Sequence, residues 1–152
     1  MFRIVAKHDH LMVATLGDTL LINVCFPYLS DSYRDSTQCM FSDLNNIITD
    51  AHCSKVLIGG DFNFDVSNAG ISQQLFCQSL DHLQLNVYDS FVYNSSQGRP
   101  YTYFQYGSGN SSFIDHFCVS QSLLSYVQNL YIFYSALNLP DHIPLCLVLQ
   151  LD

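Results

Sequence analysis

Apolar residues alternate with polar ones, or run together, over short stretches in the first part of the chain. The period and length of these stretches are typical of β-strands. They predict three strands, at residues 2–6, 11–16 and 19–26. A polar triplet at residues 8–10 separates the first two strands, residues 17–18 form a hairpin-type turn, and Pro27 ends the third strand. We expect His8 and His10 to lie in an exposed turn rather than a metal site, because no third ligand lies nearby in the sequence.

Two longer stretches have the helical period. Ser36 is the predicted N-cap of a helix that runs to about His52. Its apolar side chains share one helix face, and they are Met40, Leu44, Ile47 and Ile48. A second helix is predicted at residues 71–83.

A continuous apolar strand is predicted at residues 55–59, and such a run is typical of a strand buried on both faces. The later elements are strands at residues 101–105, 112–119, 131–134 and 143–151, with a short helix at 121–128. Strands outnumber helices, but helices lie between them. The pattern therefore predicts a layered α/β fold rather than a sandwich of strands alone.

The composition indicates one domain over residues 1–152, and no linker or repeat divides it. Hydrophobic residues make up 49% of the chain, which is enough for a substantial core. Charged residues make up only 12%, against roughly 25% in ordinary soluble domains. This deficit hints at a surface that a partner covers, although a bias of the genome would explain it equally well.

The charge of the chain is strongly negative. All 13 acidic residues are Asp, the sequence contains no Glu, and only 5 residues are Lys or Arg, so the net charge is −8. The basic residues are scattered instead of clustered. Proteins that hold a nucleic-acid backbone usually do so with groups of Lys and Arg. The charge therefore argues against tight binding of nucleic acid.

The cysteines and the absence of a long apolar run bear on location. The 6 cysteines include no Cys-x-x-Cys pair, and three of them lie in apolar runs, which favours a reducing compartment. The first residues do not have the pattern of a signal peptide, and no apolar run approaches the ~20 residues of a membrane span. We therefore expect an intracellular protein, nuclear or cytoplasmic, without membrane association.

The strongest chemical signal is the sequence Gly-Gly-Asp-Phe-Asn at residues 59–63. Positions two apart in extended chain point to the same side, so Asp61 and Asn63 would emerge together at the end of a buried strand. A carboxylate beside a carboxamide suits the orientation of a water and the binding of an anionic oxygen. The structural alternative is a common Asx-rich turn after a strand.

Two further segments add to this signal. Asp115 follows Phe113 and Ile114 in an apolar strand, where a carboxylate is costly unless another group pairs with it. His142 precedes the last strand and is the natural partner, since an Asp–His pair fixes the imidazole tautomer that a general base needs. His116 lies on the opposite strand face, and we expect it to be structural rather than catalytic.

The three segments in this order, Gly-Asp-x-Asn, Ser-x-Ile-Asp and Asp-His-x-Pro, resemble the endonuclease/exonuclease/phosphatase family. The resemblance covers residues 19–151. The short connections and the segment Asn-Val-Cys-Phe-Pro at residues 23–27 are most similar to endonucleases of LINE-type retrotransposons. The resemblance implies a four-layer α/β/β/α sandwich that hydrolyses phosphodiesters with Mg²⁺ or Mn²⁺. It also implies that residues 1–152 are the C-terminal two-thirds of such a domain, without its first strands.

The resemblance also implies a role for each site residue. Asp61 would activate or orient the attacking water, and Asn63 would contact the scissile phosphate. Asp115 would orient His142, which would act as a base or stabilise the charge of the transition state. Asp141 would lie near the metal ion, for which carboxylate and water oxygens are the preferred ligands.

Three departures from the family pattern bear on activity. The family carries a metal-binding Glu in an early segment, and this chain contains no Glu at all. Cys25 stands where a phosphate-contacting Tyr is common, and Pro140 replaces the usual Ser before the Asp-His pair. We therefore expect a weakly held metal ion and an inactive fragment, with Cys25 as a substrate contact in place of the Tyr.

Two classes of function follow from these observations. The first is a DNA endonuclease of a retrotransposon. Its partners would be DNA, a preceding segment of the domain and a downstream reverse transcriptase. Within the same fold, an abasic-site endonuclease or a phosphatase is an alternative. The second is a non-catalytic domain that keeps the fold and binds a partner. Retained site residues favour the first class, and the missing Glu favours the second.

Overall fold

The computed structural model of the chain describes residues 1–7, 9–28, 34–66, 71–93, 100–134 and 141–151, with backbone only at 34–37, 71–73, 91 and 92. The first half contains β1 at Phe2–Lys7, β2 at Leu11–Leu16, β3 at Thr19–Cys25, α1 at Arg34–Asp50, β4 at Lys55–Asp61 and α2 at Ile71–Leu83. The second half contains β5 at Leu85–Val87, α3 at Tyr88–Val92, β6 at Tyr103–Phe104, β7 at Ser111–Ser112, β8 at Asp115–Ser120, a 3₁₀ helix at Gln121–Tyr126, β9 at Val127–Ile132 and β10 at Leu145–Leu149.

A six-stranded sheet in the order β1-β2-β3-β4-β8-β5 forms the centre of the fold. The first three strands are antiparallel neighbours. The chain then crosses through α1, so that β4 pairs parallel to β3. Strand β8 returns antiparallel on the other side of β4. The sheet is therefore mixed, and β4 lies between one parallel and one antiparallel neighbour.

The core lies between this sheet and the helices α1 and α2. Leu20, Ile22 and Val24 of β3 are buried, whereas Asn23 and Cys25, which each follow a buried residue, are exposed. This alternation is the period of a strand with one face toward a core. The helices contribute the buried side chains of Phe41, Leu44, Phe76 and Leu80. Burial of such side chains stabilises the fold by about 1.5–3 kcal/mol each.

The second face of the sheet is covered unevenly. A separate two-stranded sheet of β9 and β10 lies on it, and a cavity of about 390 Å³ between the two is lined by Leu21, Leu57, Phe117, Pro144 and Leu145. Toward the β1 edge, the same face exposes Phe2, Ile4 and Met12. The part of the second face near β8 is therefore partly covered, and the part formed by β1 and β2 is apolar and open.

The layered α/β fold predicted from the sequence is confirmed, with a helical layer, a central sheet and a second small sheet. The predicted strand at 11–16 and the predicted helix at 71–83 have the observed bounds. None of the helices in the described part of the chain is long and apolar enough to span a membrane.

Several predicted elements were wrong in detail. Helix α1 begins at Arg34, so Ser36 lies inside it and is not the N-cap. The predicted strand at 112–119 is divided into β7 and β8, because the amides of Ile114 and Asp115 bond to the side chain of Thr102 and leave the ladder. The predicted helix at 121–128 is a shorter 3₁₀ helix that leads into β9. Strand β5 and helix α3 were not predicted.

The polar triplet at residues 8–10 lies partly outside the described residues, since His8 is not among them. Asp9 and His10 are exposed, and His10 Nδ1 lies 3.1 Å from the carbonyl oxygen of Cys25. Pro140 also lies outside the described residues.

Gly60 permits the close approach of β3 and β4 beneath the site. Its φ of +145° is rarely adopted by other residues, and a Cβ at this position would lie 2.0 Å from the carbonyl oxygen of Val24. The contact is with backbone, so no side-chain rotation would relieve it. The glycine is therefore required by the pairing of the two strands.

We expect Gly60→Ala to lower the free energy of unfolding by about 3 kcal/mol or more, since the strand pair must separate to admit the methyl group. Gly107→Ala is the matched control, because φ is +95° but no atom lies within 4 Å of the added Cβ. Its cost should be the backbone strain alone, about 1–2 kcal/mol. Urea denaturation of both variants checks this, and equal losses would contradict the assigned role of Gly60.

Candidate active site

Two strands of the central sheet bring the main carboxylates together. Strand β4 ends at Asp61 and β8 begins at Asp115, and in the antiparallel register of these strands the two residues are direct partners. Side chains of directly opposed residues lie on the same face of a sheet. The pairing of β4 with β8 therefore places two carboxylates side by side at one sheet end.

Asn63 lies in a tight turn immediately after β4. Its φ is +54°, in the left-handed region where Asn is one of the more tolerated residues. Its amide N–H donates to Asp61 Oδ1 at 2.8 Å, and its side-chain Nδ2 donates to the carbonyl oxygen of Phe26 at 2.6 Å and to Asp61 Oδ2 at 3.2 Å. The turn, not the extended alternation expected from the sequence, is what brings Asp61 and Asn63 together.

His142 lies between the two carboxylates. Its Nδ1 is 3.0 Å from Asp115 Oδ2, which is the contact that the sequence predicted. Its Nε2 is 3.8 Å from Asp61 Oδ2, too long for a direct hydrogen bond. The side chain of His142 is 34% exposed, whereas those of Asp61 and Asp115 are 20% exposed. The imidazole of His142 is therefore accessible to solvent, while the partly buried carboxylate of Asp115 fixes its orientation.

The β6–β7 hairpin holds the segment that carries His142. The carbonyl oxygen of Thr102 accepts a hydrogen bond from Ile143 N at 2.6 Å, and Phe104 N donates to the carbonyl oxygen of Asp141 at 2.7 Å. Tyr103 forms an isolated bridge with His142, and their ring centroids are 5.1 Å apart. These contacts fix the position of the segment that carries His142.

Thr102 is a site-forming residue that the sequence reasoning missed. Its side chain is fully buried, and its hydroxyl oxygen accepts hydrogen bonds from Ile114 N and Asp115 N, both at 3.1 Å. Because its backbone also bonds to Ile143, Thr102 connects the two segments that carry Asp115 and His142. The signal in the sequence was the position of Thr102 between two aromatic residues, which favours burial. A buried hydroxyl requires hydrogen-bond partners, so this Thr was a candidate for connecting other segments.

The electrostatics of the site follow from the two neighbouring carboxylates. Burial raises the pKa of the Asp61 carboxyl, and the Asp115 carboxylate raises it further, whereas the Asn63 N–H and His142 oppose this rise. Burial also raises the pKa of the Cys25 thiol, with contributions from Asp61 and Asp115. The thiol is therefore kept in its neutral form beside the carboxylates.

Cys25 and Asp141 lie at the margin of the site. Cys25 is the strand partner of Asp61 in the register of β3 with β4, and it is exposed. Asp141 is exposed, and its backbone is held by the β6 strand. Within the described residues, no three His, Cys, Asp or Glu side chains are grouped so that they could hold a metal ion.

The donor set therefore does not by itself fit a bound divalent cation. Asp61 accepts from Asn63 with both oxygens, and the Asp115 oxygen nearest His142 is bonded to it. Ions such as Mg²⁺ are usually held by one or two carboxylates with waters and substrate oxygens, so further ligands would be required. The predicted role of Asp141 as a metal ligand stays a prediction.

His116 is buried on the helix-facing side of β8, as the sequence predicted for a structural residue. Its Nδ1 lies 2.7 Å from Oδ2 of Asp89, which is also fully buried. Asp89 was not among the predicted residues, because it lies on a short helix that was not predicted.

Comparison with solved structures shows the same fold. The 3′ phosphatase NExo from Neisseria, bound to a product DNA hairpin, superimposes with a TM-score of 0.77 at 21% identity, over 99% of this chain and 70% of that one. A second structure, described as the 3′-5′ exonuclease NExo from Neisseria meningitidis, gives 0.76 at 23% identity over the same shares. The endonuclease domain of TRAS1, a telomere-specific non-LTR retrotransposon, gives 0.79 at 12% identity, over 100% of this chain and 69% of that one.

These structures confirm the fold that the sequence resemblance implied, which is that of phosphate-ester hydrolases such as nucleases and phosphatases. No protein-family model matches the sequence, and no curated protein matches it. At these identities the likeness concerns the fold alone.

We expect Asp61 to titrate above the ordinary value of about 3.9 for an Asp carboxyl. Folded protein then binds this proton more tightly than unfolded chain, so stability falls as pH rises from the ordinary pKa to the folded one. Carboxyl ¹³C NMR over a pH series measures the titration. Asp115→Asn should lower the Asp61 pKa, and Asp43→Asn on the exposed side of α1 should leave it unchanged. An Asp61 pKa unaffected by Asp115→Asn would contradict the coupling.

We expect Thr102→Val to lower the free energy of unfolding by about 1–3 kcal/mol, because two amides lose their acceptor without a change in side-chain volume. Thr102→Ser keeps the hydroxyl and loses one methyl group, which should cost about 0.8 kcal/mol. Urea denaturation compares the two variants. A valine variant as stable as the serine variant would show that the hydroxyl contacts are unimportant.

Proposed function

We propose that the chain is the C-terminal two-thirds of a metal-dependent phosphodiester hydrolase domain that acts on DNA, most like the endonuclease of a LINE-type retrotransposon. The observation that carries the proposal is the position of His142 between Asp115 and Asp61. Two carboxylates and an imidazole at the end of a sheet form a compact acid–base group, and such groups are typical of hydrolytic sites.

The hydrogen-bond geometry supports the following roles. Nδ1–H of His142 donates to Asp115, which leaves Nε2 as the nitrogen beside Asp61. Nε2 and the Asp61 carboxylate are both able to contact one water or one phosphate oxygen placed next to them. Asp61 would orient the water, and His142 would accept its proton or stabilise the developing charge. Asn63 would contact the phosphate by exchanging its longer side-chain bond, that to Asp61, and the neutral thiol of Cys25 would contact it from the margin.

The cofactor that we propose is Mg²⁺ or Mn²⁺, held weakly by this chain. Asp141 is the candidate ligand at the open side of the site. The described residues do not form a complete ligand set, and the sequence contains no Glu. The other ligands would come from a preceding segment of the domain, which also accords with the 69–70% of the neighbouring structures that the chain spans.

A DNA substrate is supported by the surface beside His142 rather than by charge. The hairpin that contacts His142 carries a row of aromatic rings, with 6.1 Å between the centroids of Tyr101 and Phe104 and 5.2 Å between those of Phe104 and Tyr106. Tyr106 is 67% exposed. Exposed aromatic rings bind bases by stacking, and in most proteins that use this mode a positively charged groove binds the backbone as well. The net charge of −8 therefore predicts weak binding. For a retrotransposon protein, we also propose a downstream reverse transcriptase as a partner.

A second candidate function is a non-catalytic interaction domain. The open face of β1 and β2 exposes Phe2, Ile4 and Met12, at 60%, 59% and 46%. A contiguous apolar surface of this kind often marks an interaction site. This observation accords with a domain that retains the fold but acts by binding.

The two candidates are separated by a nicking assay on supercoiled plasmid DNA. We expect the chain alone to cut poorly with Mg²⁺, since a misplaced ion costs on the order of a hundredfold per ~1 Å of error in the attack geometry. A fusion to the N-terminal segment of a LINE endonuclease should nick the plasmid, and His142→Ala should abolish this activity. His82→Ala, on the exposed side of α2, is the matched control and should retain it.

Strong Mg²⁺-dependent nicking by the unfused chain, lost on His142→Ala, would show that the absent Glu is dispensable. No nicking by the fusion, or nicking that His142→Ala leaves unchanged, would refute the catalytic proposal and favour the interaction domain.

A further inference from the structure

A buried ion-pairing group lies directly beneath the site and belongs to none of the roles described above. Asp89, in α3, and His116, in β8, are both fully buried. Asp89 Oδ2 lies 2.7 Å from His116 Nδ1, and Asp89 Oδ1 accepts a hydrogen bond from Phe117 N at 2.8 Å. Burial of a carboxylate and an imidazole is costly unless their polar atoms are satisfied. A specific structural role of the pair is expected to offset this cost in free energy.

The second nitrogen of His116 defines the chemistry of the pair. His116 Nε2 lies 3.1 Å from the carbonyl oxygen of Phe64. A carbonyl oxygen only accepts, so Nε2 carries a proton and donates it. A further proton lies between Nδ1 and Asp89 Oδ2, whichever of the two atoms holds it. Both ring nitrogens are therefore committed, and the orientation of the imidazole is fixed.

The carbonyl group that His116 binds belongs to the turn of the candidate site. Phe64 follows Asn63, whose left-handed conformation is a source of backbone strain. His116 itself follows Asp115 in β8. The ring also packs against Phe62 and Phe113, at centroid distances of 5.5 Å and 5.3 Å. His116 thus connects the turn that carries one half of the site to the strand that carries the other.

We propose that His116 is a positioning residue, which holds the turn after Asp61 against β8 and so keeps the Asn63 amide on the Asp61 carboxylate. Asp89 is the buried partner that satisfies the other ring nitrogen, and His116 Nε2 holds the turn by the Phe64 carbonyl. The effect on catalysis rests on the proposed function, but the effect on the turn does not.

Two substitutions separate the two contacts of His116. Glutamine places its amide nitrogen near the position of Nε2, so His116→Gln keeps a donor for the Phe64 carbonyl and loses the contact with Asp89. Asparagine places its amide nitrogen near Nδ1, so His116→Asn keeps the contact with residue 89 and loses Phe64. Both are compared in an Asp89→Asn background, because a carboxylate left unpaired in the core could prevent folding.

Hydrogen exchange of the Asn63 amide is the primary measurement, since this N–H donates to Asp61 and reports opening of the turn. Amides in the centre of β4 report opening of the whole sheet. Relative to β4, we expect His116→Asn to accelerate exchange at Asn63 about tenfold, the effect of a lost buried hydrogen bond. Asp89→Asn alone and its combination with His116→Gln should exchange much as the unsubstituted chain does.

Equal exchange rates at Asn63 in the His116→Gln and His116→Asn variants would overturn the proposal. It would also be overturned if the β4 amides exchanged faster by the same factor as Asn63, because the whole sheet would then be opening. The exchange measurement does not depend on hydrolysis, so it tests whether His116 holds the turn even if the protein does not nick DNA. In a fusion that nicks DNA, His116→Asn should lower kcat about tenfold with little change in KM, and His116→Gln should retain most of kcat. Equal kcat values in these two variants would refute the catalytic consequence.

Discussion

The antiparallel pairing of β4 with β8 is the interaction on which the site depends. It places Asp61 directly opposite Asp115, although the two residues are far apart in sequence. The pairing requires β4 to remain in register with both of its neighbours, and Gly60 permits this because its backbone approaches Val24 more closely than any other residue would allow. A shift of one residue would move one of the carboxylates to the helix-facing side. The register is specified by the core, since Ile58 and Cys118 are both fully buried there.

The order of the chemical motifs was enough to predict the residues that meet at the sheet end. Asp61, Asn63, Asp115 and His142 belong to short segments whose residue types indicate chemistry, and the structure brings them together. The supporting residues were not predictable in the same way. Thr102 acts through amides far from it in sequence, and Asp89 acts through His116. A single sequence carries a pattern for local structure and for reactive side chains, but it does not indicate which distant donor a buried acceptor will meet.

The difference between local patterns and distant contacts also explains errors in the predicted secondary structure. The predicted bounds of helix α2 and strand β2 were correct. The division of the strand at residues 112–119 depends on the Thr102 hydroxyl, which competes with the ladder for two amides. Helix α1 begins two residues before the predicted cap, a difference within the one or two residues by which helix ends are ordinarily defined.

The energetics of the candidate site are not those of an arrangement optimised for stability alone. Two partly buried carboxylates repel each other, and burial with this repulsion raises the pKa of Asp61. Beneath them, a second carboxylate–imidazole pair is buried where apolar residues would be expected to cost less. Both arrangements cost stability, and a role in positioning the proposed site would account for them. An interaction through the open apolar face of β1 and β2 would not require them, since that face lies at the other edge of the sheet. The buried polar groups therefore favour the hydrolytic proposal over the interaction domain.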